Sequence, residues 1–284
     1  MKLRLPLVSV VASAVLATCA WADFHDHVGL QLYSLRATTL AKGFPASLDL
    51  TKEWGIKEVE GGGSVGAVKP EEVRAALDAR GLKAPSMHVS YEALTKDIDS
   101  AIRDAKTWGV TWIICPWIPH TGDFTEATVQ QTIKDFNKFG AAIRAAGLKF
   151  GYHPHGYEFV PTKDGETLLD DLIKGTKAED VSFEMDVFWA YHGGGDPVKL
   201  LEKYSSRWCA LHLKDLRKGA PYGKPLGHAP ATDMVAVGSG QIDWKAVIGT
   251  AEKVGVKYYF IEDETTDPLA NIPATLAFVK GLKL

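Results

Sequence analysis

Apolar residues along this chain gather into short dense runs, separated by longer stretches in which they recur every three or four positions. The runs are VGLQLY (28–33), KEVE (57–60), APSMHV (84–89), WIICPW (112–117), KFGYH (149–153), VSFEMD (181–186), CALHLK (209–214) and YYFIED (258–263). Their length and content predict strands, and a helical pattern follows nearly every one. Local signals mark the helix ends. Pro70 with Glu71 and Glu72 suits a first turn and Gly81 an end; Thr125 to Ala146 keeps one apolar face and stops at Gly147; Asp243 suits the cap of a helix reaching Val254, with Gly255 after it. Eight β/α units predict an α/β fold, a (β/α)8 TIM barrel in one domain over residues 23–284. A doubly wound open sheet shares the alternation, but no G-x-G-x-x-G turn follows the first strand. The longest irregular piece, Arg217 to Gln241, follows the seventh strand; in a barrel that is an active-site loop.

The first 22 residues break this pattern. Lys2 and Arg4 precede an apolar run from Leu5 to Leu16, and Ala20-Trp21-Ala22 offers a cleavage site, which reads as a secretory signal peptide for a periplasmic or secreted protein. The run is shorter than the roughly 20 residues that span a bilayer, so no membrane attachment is expected after cleavage. Lipidation at Cys19 is the competing reading, weakened by the bulk of Thr18 before it. Cleavage removes two basic residues and no acid, which takes the formal net charge from −3 to −5. With no Lys/Arg run either, nucleic acid is not an expected partner. The two remaining cysteines, Cys115 and Cys209, sit in apolar runs and indicate no disulfide framework. A homo-oligomer is left open.

Barrels place reactive groups at the C-terminal ends of their strands, and polar residues are numerous there. Glu60 closes the second run, His88 lies in the third, His153 ends the fifth with His155 and Glu158 just beyond, Asp186 ends the sixth, His212 lies in the seventh and Glu262 in the eighth. Singly, each has a structural explanation: a strand histidine is more often a hydrogen-bonded core group than a ligand, and Glu60 could pair with a basic residue at the rim. Three such residues, Asp186, His212 and Glu262, at the ends of three different strands call for a cation, because buried unpaired charge is expensive. Carboxylates with imidazole suit one divalent ion such as Mn, Mg, Co or Zn. Trp117, Trp189, Tyr33 and Tyr191 fall at or just past strand ends, where flat rings could stack on a sugar.

The chain resembles the sugar isomerase/epimerase group with a xylose-isomerase-like TIM barrel, and looks like its exported subgroup. The likeness runs from about Val28 to the C-terminus on VGLQLYSLR, SMHVSY, YHPHGYEF, FEMDVFWAYHGGGDP, LHLKD and GSGQIDWKAV leading to YYFIEDE. It implies one metal held by Asp186, His212 and Glu262 with a fourth ligand from the strand-five region, where many relatives have a glutamate and this chain has His153-Pro154-His155. Glu158 is the expected fourth ligand and His155 the fallback. Glu158 and Glu262 are the expected acid/base pair, with His155 or His88 as shuttle; Glu60, Trp117, His153, Trp189 and Lys214 are expected at the substrate, and Asp215 matches a contact position. The implied reaction is proton abstraction next to a sugar carbonyl through an enediolate, giving isomerisation or epimerisation. Elimination from a 3-keto sugar or glycoside at the same site is the alternative, and a non-catalytic periplasmic sugar-binding protein is the alternative of another class. A multi-metal DNA-repair nuclease is disfavoured by the acidic charge.

Overall fold

Eight parallel strands close on themselves in the computed structural model, which describes residues 24–62 and 68–284. They are β1 (Val28–Gln31), β2 (Glu58–Gly61), β3 (Lys83–His88), β4 (Trp112–Cys115), β5 (Lys149–Tyr152), β6 (Val181–Asp186), β7 (Trp208–Leu213) and β8 (Tyr258–Ile261). β8 pairs with both β7 and β1, which closes the barrel and rules out the open sheet. The expected signal peptide and Cys19 lie outside the described residues. No helix among the described residues is long and apolar enough to cross a membrane.

Strand ends move for local reasons. Gln31 accepts the N–H of Tyr33 at 3.0 Å, which turns the chain into a 3-10 turn (Leu32–Leu35) before the expected end of β1. β4 stops at Cys115 because Pro116 has no N–H to give the ladder. Helices form where the capping residues place them. Thr125 accepts from Thr128 N ahead of Glu126–Ala145, and Asp243 accepts from Ala246 N ahead of Trp244–Val254, which Gly255 ends in a left-handed conformation.

Strand alternation sorts the barrel interior into layers. Phe260, Ala210 and Ile114 form a small apolar group apart from the main core. Glycines opposite make room for it: a Cβ on Gly29 would lie 2.8 Å from the Phe260 ring, and one on Gly151 2.6 Å from Ile114. Two residues further along each strand, toward its C-terminal end, the interior turns polar: Gln31, Glu60, Ser86, Glu184 and His212 are all buried. A third layer, with Asp186, Lys214 and Glu262, borders the mouth.

The Arg217–Gln241 loop is partly ordered by an antiparallel pair, Asp215–Leu216 with Met234–Val235. Its far end is tied down by Asp215, whose carboxylate accepts from Gly238 N (2.9 Å), Gly240 N (3.0 Å) and the Trp244 indole N–H (2.9 Å).

Candidate active site at the barrel mouth

Asp186 and His212 are register partners on β6 and β7, and Glu262 follows β8 directly. Together with His153 they bring four potential ligand atoms within 4.8 Å of one another, all buried. His212 Nδ1 lies 3.1 Å from Glu262 Oε2, and His153 Nε2 lies 3.8 Å from Asp186 Oδ2. One Asp186 oxygen caps the helix that starts at Val187, accepting from Trp189 N at 2.9 Å. The other, Oδ2, is buried and has no hydrogen-bond partner. Two imidazoles and two carboxylates, one of which carries the orphaned buried oxygen, are a donor set that fits a divalent cation.

Beneath this group lies a second one, built on Glu184, the member that sequence reasoning passed over. Glu184 Oε2 is 3.0 Å from His153 Nδ1, 3.0 Å from His88 Nε2 and 3.2 Å from His212 Nε2. Glu60 Oε2 is 2.7 Å from His212 Nε2 and 3.0 Å from His88 Nε2, and accepts from Gln31 at 2.7 Å while Ser86 donates to its other oxygen at 2.5 Å. Glu184 stands two residues before Asp186 and so shares its face; that spacing was the available signal. Glu60 is wholly buried in this lower group, so the structure places it under the histidines and not among the cavity-lining residues, where a substrate contact was expected.

Electrostatics divides the histidines. Burial works against protonating His88, but Glu60 and Glu184 outweigh it and hold the ring at about 10. The same contest, won by Glu184, Glu262 and Glu60, raises His212 well above its ordinary value. His153 goes the other way, pushed down to about 4 by burial and the charge on His212. Burial, then His153, puts His155 well below the ordinary range. Burial lifts Asp186 to about 7 against the pull of Lys214, whereas Lys214 and His212 overcome burial and keep Glu262 well below the usual carboxylate range. His153 and His155 thus offer neutral imidazoles, the form that ligates metals and accepts protons.

Above the group opens a cavity of about 360 Å³, lined among others by His88, His153, His155, Trp117, Trp189 and Glu262. Trp117 is 37% exposed and stacks on His120, whereas Trp189 is 4% exposed, with the Lys214 ammonium over its ring, and it too lines the cavity. Tyr33 lines the rim, while Tyr191 packs on Tyr222. Lys214 is buried among Asp186 (3.7 Å), Glu262 (3.3 Å) and Glu264, and it does not line the cavity. Asp215 points the other way along the strand and is consumed by the loop.

Glu158 does not join the group. It lies in the 3-10 turn Tyr157–Phe159 that follows Gly156, a glycine at φ 92°, and this turn swings the carboxylate back under the loop. There it accepts from the Tyr152 hydroxyl and from His155 N at 3.1 Å, and burial pushes it up to about 7. Where Glu158 was expected beside Asp186, His212 and Glu262, the structure brings His153.

The xylose isomerase-like TIM barrel family model matches residues 48–282. An inosose dehydratase of Bacillus licheniformis is 28% identical over 192 residues, which is 65% of this chain and 63% of that relative, so the chain spans somewhat under two thirds of its length. A sugar phosphate isomerase/epimerase of Parabacteroides distasonis superposes with a TM-score of 0.74 at 25% identity, over 90% of this chain and 98% of the other. The IOLI protein, solved with a bound zinc atom, superposes with a TM-score of 0.68 at 13% identity over 89% of this chain and 95% of the other, a likeness of fold. Closed barrel, polar mouth and family match agree: the chain belongs to the xylose isomerase-like TIM barrel family.

Proposed function

We propose that the protein is an enzyme that uses one divalent cation, of the Mn, Mg, Co or Zn kind, to move a proton next to the carbonyl of a small carbohydrate, as an isomerase or epimerase. The observation that carries this reading is the convergence of His153, Asp186, His212 and Glu262 around a buried oxygen of Asp186 that accepts no hydrogen bond. When bound, the cation supplies Lewis acidity, polarising neighbouring sugar oxygens and acidifying the C–H beside them. The side chains do the rest. Trp117 and Tyr33 bound the space for a sugar ring. His155 lines the same cavity, and burial keeps it unprotonated, which suits it to take a proton. Glu262 remains ionised beside it and is the second acid/base candidate. Glu158 drops out of this role, since its carboxylate serves Tyr152 and the loop amide.

Loss of a β-substituent after the same proton abstraction makes the site a lyase, and the similarity to a protein named inosose dehydratase favours that as the second reading. We also place the mature protein outside the cytoplasm on the strength of residues 1–22; N-terminal sequencing of the protein recovered from the periplasm should begin at Asp23.

The test is metal analysis of wild type and Asp186→Ala, followed by incubation in D₂O with free sugars and 3-keto glycosides under NMR. The reading expects about one divalent ion per chain in the wild type only, with deuterium entering next to a carbonyl. The products separate epimerase from lyase. A metal-free wild type with no exchange on any sugar refutes the enzyme reading and favours a sugar-binding protein.

A further inference from the structure

His155 and Trp117 line the cavity together, their rings 5.3 Å apart and edge to face. His155 Nδ1 is buried without a hydrogen-bond partner, so the ring is placed by its backbone and its neighbours. The strand ladder stops short of that backbone: His153 N donates to Cys115 O at 3.0 Å, and Pro154 has no N–H to continue. The next amide, His155 N, meets both oxygens of Glu158, at 3.1 and 3.2 Å. From Glu158 a chain of hydrogen bonds crosses to the neighbouring loop. The Tyr152 hydroxyl donates to Glu158 Oε1, so the Tyr157 hydroxyl, 2.9 Å away, donates to Tyr152 and in turn accepts from Ile118 N at 2.9 Å. The Tyr157 ring also supports Trp117 edge to face at 4.7 Å. We propose that Glu158, Tyr152 and Tyr157 are positioning residues, a clamp that ties the loop after β5 to the loop after β4 and so holds His155 and Trp117 at a fixed separation around the substrate. This rests on the reading of His155 as proton acceptor and of Trp117 as a wall of the sugar site, and adds what places them.

Packing alone does not call for this arrangement. All three side chains are buried, and a buried carboxyl group costs free energy that an apolar residue at 158 would not. Its donors, the Tyr152 hydroxyl and His155 N, stand on either side of His153-Pro154. The clamp nevertheless acts on His155 and not on His153, because His153 is held by the ladder to β4 and by Glu184 at 3.0 Å. Releasing it therefore leaves the cation-facing group in place and frees the cavity wall. The competing reading is that Tyr157 serves only the aromatic packing of His120 and Phe124, 4.5 and 4.9 Å from its ring, in which case loss of its hydroxyl changes nothing at the cavity.

The experiment uses the full chain loaded with zinc, follows backbone amide exchange by NMR, and measures turnover of whichever sugar the wild type labels in D₂O. Glu158→Ala should speed exchange of the His155 amide and leave that of His153 as slow as in wild type. It should lower kcat about 100-fold, the scale of an ångström of misplacement, while zinc affinity stays within a few-fold. Glu158→Gln, which keeps an acceptor for the amide, should restore most of that turnover. Tyr157→Phe keeps the ring and removes the hydroxyl; it should speed exchange of the Ile118 amide and raise KM roughly fivefold with a smaller effect on kcat. A purely structural role predicts a lower Tm with kcat and KM per folded chain unchanged in both Glu158→Ala and Tyr157→Phe, and that result overturns the proposal. So does a His155 amide that stays protected in Glu158→Ala, or a fall in zinc affinity equal to the fall in kcat. If Glu158→Ala does not fold, Tyr157→Phe decides alone. A wild type that labels no sugar refutes the enzyme reading, and this proposal with it; intact protection of the His155 amide in that protein tells this failure from a missing clamp.

Discussion

Removing the Asp215 carboxylate should loosen the Arg217–Gln241 loop and lower the stability of the whole barrel. The carboxylate accepts three hydrogen bonds of 2.9–3.0 Å, from Gly238 N, Gly240 N and Trp244 Nε1, and a longer one of 3.4 Å from Ile242 N. Hydrogen bonds to a charged acceptor contribute about 1.5–3 kcal/mol each. Two effects offset the sum. Burial pushes Asp215 above its ordinary carboxyl value, the mark of a desolvation cost that Asp215→Ala removes. Water can also reach the freed amides at the loop surface. About 3 kcal/mol should remain, near the low end for breaking a buried charged contact, which corresponds to a fall of roughly 6–12 °C in Tm. Gly240 supplies a check from the other side, because a Cβ there would overlap Asp215 Oδ1 and the Leu216 carbonyl. Gly240→Ala should therefore destabilise as well, and the double variant should lose less than the two singles together, since both act on one contact. Thermal unfolding by circular dichroism measures the four proteins, and limited proteolysis should cut the single variants within residues 217–241 first. An Asp215→Ala protein that melts within a degree of wild type and resists protease equally would refute the reasoning.

Other perturbations follow from the same geometry. Glu158 is held at about 7 against an ordinary 4.5, so its contribution to stability is present below pH 4.5 and is lost as pH rises through 7, a swing of about 3 kcal/mol. Glu158→Gln should remove that dependence, so urea titrations at pH 5 and pH 8 should bring the variant up relative to wild type at the higher pH; parallel curves would refute the assignment. Gly227 lines the cavity at ordinary φ, and a Cβ there would sit 2.7 Å from Tyr157 and 2.9 Å from Trp117. Gly227→Val should abolish substrate turnover while zinc affinity, measured by competition, stays within a few-fold; unchanged turnover would show that the substrate lies elsewhere. Arg207 is buried and donates to the carbonyls of Ile173 (2.6 Å) and Val181 (3.3 Å) and to the Thr176 hydroxyl (2.8 Å). Arg207→Met strands those acceptors and should cost about 3 kcal/mol in urea unfolding; less than about 1 kcal/mol would mean that water replaces the guanidinium.

The barrel was legible because its strands are apolar runs bounded by strong helix signals, so Thr125, Asp243 and Gly255 stand where capping chemistry put them. The site was legible where a polar residue ends a strand, as with Asp186, because strand direction fixes which end faces the mouth. Glu184 was hidden in mid-strand, and only the two-residue periodicity tied to Asp186 could have exposed it. Glu158 was misplaced because the direction of a loop side chain depends on the left-handed turn at Gly156, and chain spacing does not encode that. Lys214 and Asp215 were read together as neighbours of a substrate, yet adjacent strand residues face opposite ways. One turns in to the mouth cluster and the other out to the loop.

The apolar layer of Phe260, Ala210 and Ile114 makes the barrel a vessel open at one end. Among the described residues, the cavity that opens on the carboxylates and imidazoles lies on the side away from that floor, where a substrate would enter. An occupant that fills the cavity therefore also covers the network, and a proton that leaves it passes first to a side chain already lining that space, His155 or Glu262.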